Sequence, residues 1–425
     1  MERLTRRRFL VLSAASTASL LACAGAPPAT AAPAARPPLA GGDDALFEQI
    51  DAQAAALVQE YNLPGLSVGI VHNDQLVFAQ GYGFRSGLPG GARLPMTPQT
   101  VQSMASVSKA FAGTAIMQLV DAGRLNIDHP VVEYLPYFRL NDSRYTQIKI
   151  RHLLGHSSGL PFVRPEEEVD IFAEYRNDYW YPDTAEGYVK SLTDIQLLFD
   201  PGAMFSYSDT GYDILADVID KVSGQLFADY CQQHILDPLG MTHSTFRVSE
   251  VDPNRLAQAY MLDAGGQLAL SPVFPYSVRH EPSSCLHSST EDMARWIVTH
   301  FNHGKLGWSR ILKTPSQKQV WEPLTPVEPG IGYAWGWWMG ALERWFLGDV
   351  AGWPLVAAMF GGQIGVQSAF VMLPALQLAV LAHAPMSDNW MVGPFAFTVL
   401  SELMAGKCCH PVTPVGPSRL GAWRR

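Results

Sequence analysis

Strand-like runs stand at both ends of this chain, and residues 124–285 between them read mostly as helix and loop. Leu66 to Val71 and Leu76 to Gln80 flank the turn His72-Asn73-Asp74-Gln75, which is a hairpin pattern. Tyr333 to Met339, Leu355 to Phe360, Gln367 to Leu373 and Leu376 to Ala382 are further short runs separated by Gly or Pro. The break at Pro374-Ala375 fits adjacent antiparallel strands. Such an arrangement predicts an α+β fold: one antiparallel sheet drawn from both ends, flanked by helices, with a mainly helical lobe inserted.

The helices are read from apolar spacing. Leu46, Phe47, Ile50, Ala54, Leu57 and Val58 give residues 43–61 one buried face, with Asp43 or Asp44 as cap. Phe111, Ala115, Ile116, Leu119 and Val120 do the same for 106–122, which stops at Gly123. Ile150 to Leu154 is a short helix, and Thr210 to Val222 a longer one with Ile214, Leu215, Val218 and Ile219 on one side. Another begins at Ser289-Thr290, and the last runs from Pro394 to Met404.

The first residues read as an export signal rather than as part of the fold. Thr5-Arg6-Arg7-Arg8-Phe9-Leu10 is a twin-arginine pattern followed by the apolar run Val11 to Ala22. Cleavage after Ala31 fits Ala29-Thr30-Ala31, leaving 32–42 as an Ala/Pro-rich linker. Leu20-Leu21-Ala22-Cys23 also resembles a lipoprotein box, which would put a lipid anchor on Cys23, although leucine is uncommon at its second position. The expected location is periplasmic or extracellular, with no transmembrane span in the mature chain. With 425 residues, 48% of them hydrophobic, the chain can bury a large core. A net charge of −9, with no basic run interleaved with aromatics, speaks against a nucleic-acid partner. Five cysteines in so long a chain are no disulfide framework, and Cys408-Cys409-His410 has no further ligands nearby. No metal site and no cofactor are expected.

The chemistry centres on Ser106-Val107-Ser108-Lys109 at the start of an apolar helix. Serine in a first helical turn meets free N–H groups and positive partial charge, which favour a developing oxyanion. Lys109 lies one turn on, on the same face, where its amine can help take the hydroxyl proton. Alone, Ser-x-x-Lys is more often a cap beside a solvated lysine. Gly65-Leu66-Ser67-Val68-Gly69 and Gly155-His156-Ser157-Ser158-Gly159 match the G-x-S-x-G pattern. Neither has the strand before and helix after that a nucleophile elbow needs.

Further pieces then join in order. They are Pro64-Gly65-Leu66, Ala105 to Lys109, His152-Leu153-Leu154 with His156 to Pro161, and Pro201-Gly202 before Phe205-Ser206-Tyr207-Ser208-Asp209. Ser289 to Ala294 and Gly332-Tyr333 to Trp337 follow. Over about 45–400 the chain resembles the class C β-lactamase-like serine hydrolases, which include β-lactamases, D-alanyl carboxypeptidases, D-amino-acid peptidases and esterases. The resemblance implies the serine β-lactamase/penicillin-binding-protein-like fold over residues 43–405. It divides that span into an α/β lobe (43–123 plus 286–405) and a helical lobe (124–285), with 406–425 as a tail. It implies Ser106 as the acylated nucleophile, Lys109 as its activating lysine and Tyr207 as the tyrosine of Tyr-x-Asn. A phenol with pKa about 10 is a weak proton carrier, and a neighbouring ammonium is expected to lower it into use.

Two positions depart from the family. Asp209 stands where asparagine is usual, and Phe360-Gly361-Gly362 where Lys-Thr-Gly or His-x-Gly is usual. An ionised Asp209 only accepts hydrogen bonds, so it should hold Lys109 protonated and cannot donate to a substrate's acylamino group. Phe360 removes the side chain expected to hold a substrate carboxylate. The N–H groups of Ser106 and Gln363 are the expected oxyanion donors. Trp335, Trp337, Trp338 and Trp353 are consistent with an apolar cleft or with core packing. The expected partner is a small-molecule ester, lactam or peptide. Esterase-type action on neutral or apolar acyl substrates is the leading expectation. A β-lactamase or D-alanyl carboxypeptidase/D-aminopeptidase, and a weak or inactive binding protein of the same fold, are the alternatives.

Overall fold

The computed structural model describes residues 44–88, 90–163, 184–274, 280–348, 350, 352–388 and 390–405. The expected export signal and linker, Cys23, Cys408-Cys409-His410 and the expected tail lie outside them. Nine strands form one sheet: β1 (Gly65–His72), β2 (Gln75–Ser86), β3 (Leu94–Pro95), β4 (Thr325–Glu328), β5 (Ile331–Ala334), β6 (Trp337–Gly340), β7 (Val356–Gln363), β8 (Val366–Leu373) and β9 (Leu378–Ala384). Their order is β4-β5-β6-β7-β8-β9-β1-β2-β3, antiparallel throughout, so the first and last thirds of the chain meet where β1 pairs with β9.

Strand parity sorts the side chains onto two faces. Phe360, Ala369, Ala382 and Val68 lie in one row across β7, β8, β9 and β1, while Gly361, Ser368, His383 and Ser67 form the next row, on the other face. The first face is covered by α1 (Asp44–Glu60), where Phe47 stacks on Phe78, and by the C-terminal helix Val392–Ala405. The second face receives the helix Thr290–Phe301, whose Thr290 hydroxyl bonds both Ser67 (2.6 Å) and His383 (2.8 Å). Ser67 is therefore a buried sheet residue, which removes one of the two G-x-S-x-G serines from contention.

The serine helix begins with a 3₁₀ turn, Ala105–Val107, and continues as α2 (Ser108–Asp121). Phe111 stacks on Trp296 with ring centroids 3.9 Å apart, tying α2 to the sheet-bound helix. On its other side α2 meets α3 (Asp209–Ser223), whose apolar stripe buries Ile214, Leu215, Val218 and Ile219. Ser208 caps α3 by accepting from the Gly211 N–H, and Gly224 ends it at φ +77°. Short helices Val131–Tyr134, Ile150–Leu154, Ala185–Lys190 and Phe227–Cys231 lie between α2 and the second half of the sheet in the chain and pack against α3. Cys231 and Cys285 are buried thiols with no disulfide between them.

Two sequence expectations need correction. Tyr333 to Met339 is not one strand: β5 and β6 turn sharply at Trp335 (φ +57°) and Gly336 (φ +89°). A strand pattern runs unbroken through this turn because both of its arms are buried. The second strand does not end at Gln80 but runs on to Ser86, where the two-residue β3 pairs with it. Among the described residues no helix is long and apolar enough to cross a membrane.

Candidate active site

Ser106 sits in the 3₁₀ turn, partly exposed between buried Ala105 and Val107. Ala105 has φ +48°, so the chain turns sharply into the serine. Three close backbone approaches fix this turn. A Cβ on Gly361 would lie 2.1 Å from the Met104 carbonyl, one on Gly336 2.3 Å from the Ala110 nitrogen, and one on Gly113 2.3 Å from the Trp335 carbonyl. Glycine at each position lets β7 and the β5–β6 turn touch the start of the helix.

Lys109 is fully buried. Its ammonium donates to Ser106 Oγ at 3.0 Å and to the Ser283 carbonyl at 2.9 Å, and pairs with Asp209 Oδ1 at 2.7 Å. Burial pulls the lysine down, but the Asp209 carboxylate and the Tyr207 oxygen outweigh it, so Lys109 is held above its ordinary value and stays charged. Burial likewise pushes the Asp209 carboxyl up, against the pull of Lys109, and Asp213 one turn along α3 adds to the rise. Behind Asp209, Asp213 Oδ2 meets His280 Nδ1 at 2.7 Å, with both side chains buried. His280 precedes the short helix Glu281–Ser284, which carries the Ser283 carbonyl that Lys109 uses. Sequence reasoning missed this second pair. The four-residue step from Asp209 to Asp213 on a helix was the available signal.

Tyr207 is half-buried in a segment without regular structure, just ahead of α3. Its phenol lies beside Ser106 and Lys109, close enough for both to act on its ionisation, and the lysine lies 5.0 Å from its ring centre. The expected lowering of this phenol is overturned: burial raises it more than the lysine lowers it. Tyr207 therefore rests as a neutral O–H that can take one proton only as it gives another.

Ser106, Lys109, Tyr207 and Asp209 thus meet at one point. The β7 residues divide. Gly361 faces the serine turn, while Gly362 is exposed with open space where a side chain would stand. Gln363 turns its amide into the protein to bond Ser103 Oγ at 2.9 Å. It also pairs with Val366 across the two-residue turn Ile364-Gly365, the position at which a hairpin exchanges both backbone hydrogen bonds. Its N–H is thereby committed to the sheet, and the neighbouring Gly362 N–H faces the free edge. Phe360 is off the site altogether. It lies in the row facing the C-terminal helix, against Phe346 (5.9 Å) and Trp390 (5.6 Å). By the same parity Met359 shares the serine-facing side of β7 with Gly361. Of the tryptophans, Trp338 stacks parallel to Tyr207 at 6.1 Å. Trp335 and Trp337 are core, and Trp353 packs on Phe397 beyond the sheet. Phe162, partly exposed, is 6.1 Å from Tyr207, and Trp345, also partly exposed, stands edge-on to Trp338. Among the described residues no cluster of three or more His, Cys, Asp or Glu is placed to hold a metal ion.

Residues 48–384 match the family model described as Beta-lactamase. The chain belongs to that family. It is 30% identical over 257 residues to Protein flp of Staphylococcus aureus (strain MW2), an alignment covering 60% of this chain and 49% of the relative. The chain thus spans about half the length of the curated relatives it matches first. The octameric penicillin-binding protein homologue from Pyrococcus abyssi superposes with a TM-score of 0.71 at 28% identity, over 84% of this chain and 77% of that one. EstCE1, a hydrolase with promiscuous acyltransferase activity, superposes with a TM-score of 0.70 at 20% identity, over 85% and 99%, and so shares the fold.

Proposed function

We propose that this protein is an exported serine hydrolase that forms an acyl-enzyme on Ser106 and acts on neutral esters with apolar groups. The observation that carries the reading is the meeting of Ser106 Oγ, Lys109 Nζ and the Tyr207 phenol at one partly exposed point, with Asp209 behind the lysine. In the forward step Ser106 Oγ bonds to the ester carbonyl carbon. Its proton passes to the Tyr207 oxygen as Tyr207 gives its own to the departing alcohol oxygen, so the phenol ends neutral. The Lys109 ammonium stabilises negative charge on Oγ during the attack. The N–H groups of Ser106 and Gly362, rather than Gln363, receive the carbonyl oxygen. Water then repeats the sequence in reverse and frees the acid.

The substrate preference follows from what the cleft lacks. Asp209 is committed to Lys109 and has no N–H to offer an acylamino carbonyl. Met359 to Gln363 bring no cationic or hydroxyl side chain to hold a carboxylate. Phe162, and Trp345 on the Trp338 ring that stacks on Tyr207, offer apolar surface instead. The location outside the cytoplasm rests on the twin-arginine pattern at Thr5 to Leu10.

The test is hydrolysis of p-nitrophenyl butyrate by the mature protein and by Ser106→Ala, with intact mass after a fluorophosphonate probe. Turnover and a single adduct in the wild type, both lost in the variant, are expected. A folded wild type that is inert and unlabelled sinks the reading in favour of a binding protein. Nitrocefin turnover matching ester turnover would move it to a β-lactamase.

A further inference from the structure

Tyr207 has to be aimed, and nothing regular aims it. Residues 205–208 belong to no helix or strand. Their contacts converge instead on one buried residue to which no step above gives a role, His156. The His156 carbonyl accepts from the Ser206 N–H at 2.7 Å, and its Nδ1 accepts from the Ser208 N–H at 3.1 Å. Between these two anchors the imidazole lies against the Tyr207 ring, with centroids 4.1 Å apart and planes 33° apart. One residue thus grips the positions on both sides of the tyrosine and the tyrosine itself.

The local chemistry suits a histidine. His156 adopts φ +53°, a conformation in which Asn, Asp and His are enriched and branched side chains are strained. Accepting at Nδ1 requires a neutral ring with its proton on Nε2. Burial, and then the Lys109 charge, push the imidazolium well below its ordinary range, which keeps the acceptor available. Nε2 has no hydrogen-bond partner among the described residues. The rings of Phe205 (5.8 Å), Tyr212 (4.9 Å) and Tyr333 (4.5 Å) surround the imidazole on its other sides. A buried N–H left to aromatic faces is a costly choice if the residue only filled space.

We propose that His156 is a positioning residue for Tyr207. Through the Ser206 and Ser208 N–H groups and the stacked ring it holds the phenol oxygen at Ser106 and at the departing alcohol, and so governs proton delivery to the leaving group. The inference rests on the reading of Tyr207 as proton carrier. It predicts a specific pattern, because a misaimed phenol matters most when the leaving group is a poor one.

The experiment compares kcat/KM for p-nitrophenyl butyrate and phenyl butyrate, which share an acyl group and differ in leaving-group basicity. Rates are normalised to sites titrated by a fluorophosphonate. The proteins are the wild type, Tyr207→Phe, His156→Phe and His156→Asn. His156→Phe keeps a ring and loses the acceptor. His156→Asn keeps a short acceptor, tolerates positive φ and loses the ring. Tyr207→Phe should lower the phenyl ester about 100-fold more than the nitrophenyl ester. His156→Phe should shift the same ratio about 10-fold, and His156→Asn about threefold. A purely structural role lowers both esters by one factor. An unchanged ratio in both His156 variants, with the Tyr207→Phe shift intact, overturns the proposal. An unchanged ratio in Tyr207→Phe itself overturns the proton-carrier reading, and this proposal falls with it.

Discussion

The serine side and the tyrosine side of this cleft are built in different ways. On the serine side, backbone touches backbone. Gly361, Gly336 and Gly113 bring a strand and a turn against the start of α2, with no room for a methyl group at any of the three. On the tyrosine side, one backbone bond from the Ser206 N–H to the His156 carbonyl is joined by side chains that hold an irregular segment: the His156 imidazole, the parallel Trp338 ring and the Phe162 ring. The difference suits the two tasks. A nucleophile and its oxyanion donors need fixed distances, which packed backbone provides. A proton carrier must reach two oxygens in turn, and a phenol held by rings can swing slightly without moving the scaffold. The comparison also predicts where substrates are distinguished. Side-chain walls vary without disturbing the fold, so specificity belongs to the tyrosine side.

Lys109→Met should have the largest effect, because it strikes the one group that joins the two sides. Removing a charge that stabilises the attacking oxygen costs about 10²–10³-fold in rate. It also leaves the Asp209 carboxylate buried without its cation, and breaking such a pair costs about 3–5 kcal/mol. Kinetics and urea denaturation of one preparation measure both. Lys109→Met combined with Asp209→Leu should recover much of the stability and none of the rate. Recovery of rate would mean that Lys109 serves only the fold.

Gly361→Ala comes next. Its methyl would meet the Met104 carbonyl and Ser368 Oγ, so β7 must move away from the serine turn. Overpacking of this kind costs about 1–3 kcal/mol, and a 1 Å misplacement of oxyanion donors costs about 100-fold in rate. Gly362→Ala, one residue on, points into open space and should leave the melting temperature unchanged. If the two variants behave alike in melting and in kcat, the backbone approach is not what fixes the serine side.

These two glycines also mark how far the sequence was legible. The apolar spacing of α1 and α3 predicted their faces, since amphipathic periodicity is set by burial and burial is what the fold preserves, whereas α2, expected to bury one face, is buried almost all round. The motif order named Ser106, Lys109, Tyr207 and Asp209, which the structure brings together. What could not be read was strand parity. A one-residue shift reverses the face of every side chain, and the run Met359 to Gln363 has no polar–apolar alternation to set it. Phe360 was therefore placed in the cleft although it packs beneath the sheet. Contacts between distant segments were equally hidden. His156 with Ser208, and Asp213 with His280, lie far apart along the chain, and each residue alone resembles an ordinary buried polar group.

Asp209→Asn should have a moderate effect with a definite sign. Lys109 is held above its ordinary value of 10.5 partly by Asp209, against the downward pull of burial. A folded value above the unfolded one contributes stability that is complete below the unfolded value and fades as pH rises through the folded one. The asparagine variant loses that contribution, so its stability should be flatter across the alkaline range. Its Lys109 ionisation, read from the alkaline limb of kcat/KM, should move to lower pH. The new amide N–H should also improve acylamino-bearing substrates relative to butyrate esters. An unmoved alkaline limb would show that Asp209 does not set the charge of Lys109.

Phe360→Ala should have the smallest effect on chemistry. Deleting a buried Phe ring costs about 3–5 kcal/mol, and here the loss falls among Phe346, Trp390 and the C-terminal helix. Because the ring faces away from Ser106, kcat/KM per titrated site should stay within about twofold for p-nitrophenyl butyrate, the range expected of a site held by other contacts. Met359, on the face of β7 that carries Gly361, is the contrasting position. Met359→Lys puts a cation on the face that carries Gly361, and anionic substrates such as nitrocefin should gain there and not in Phe360→Lys. The opposite result would return Phe360 to the cleft and require β7 to run one residue out of the register seen against β8.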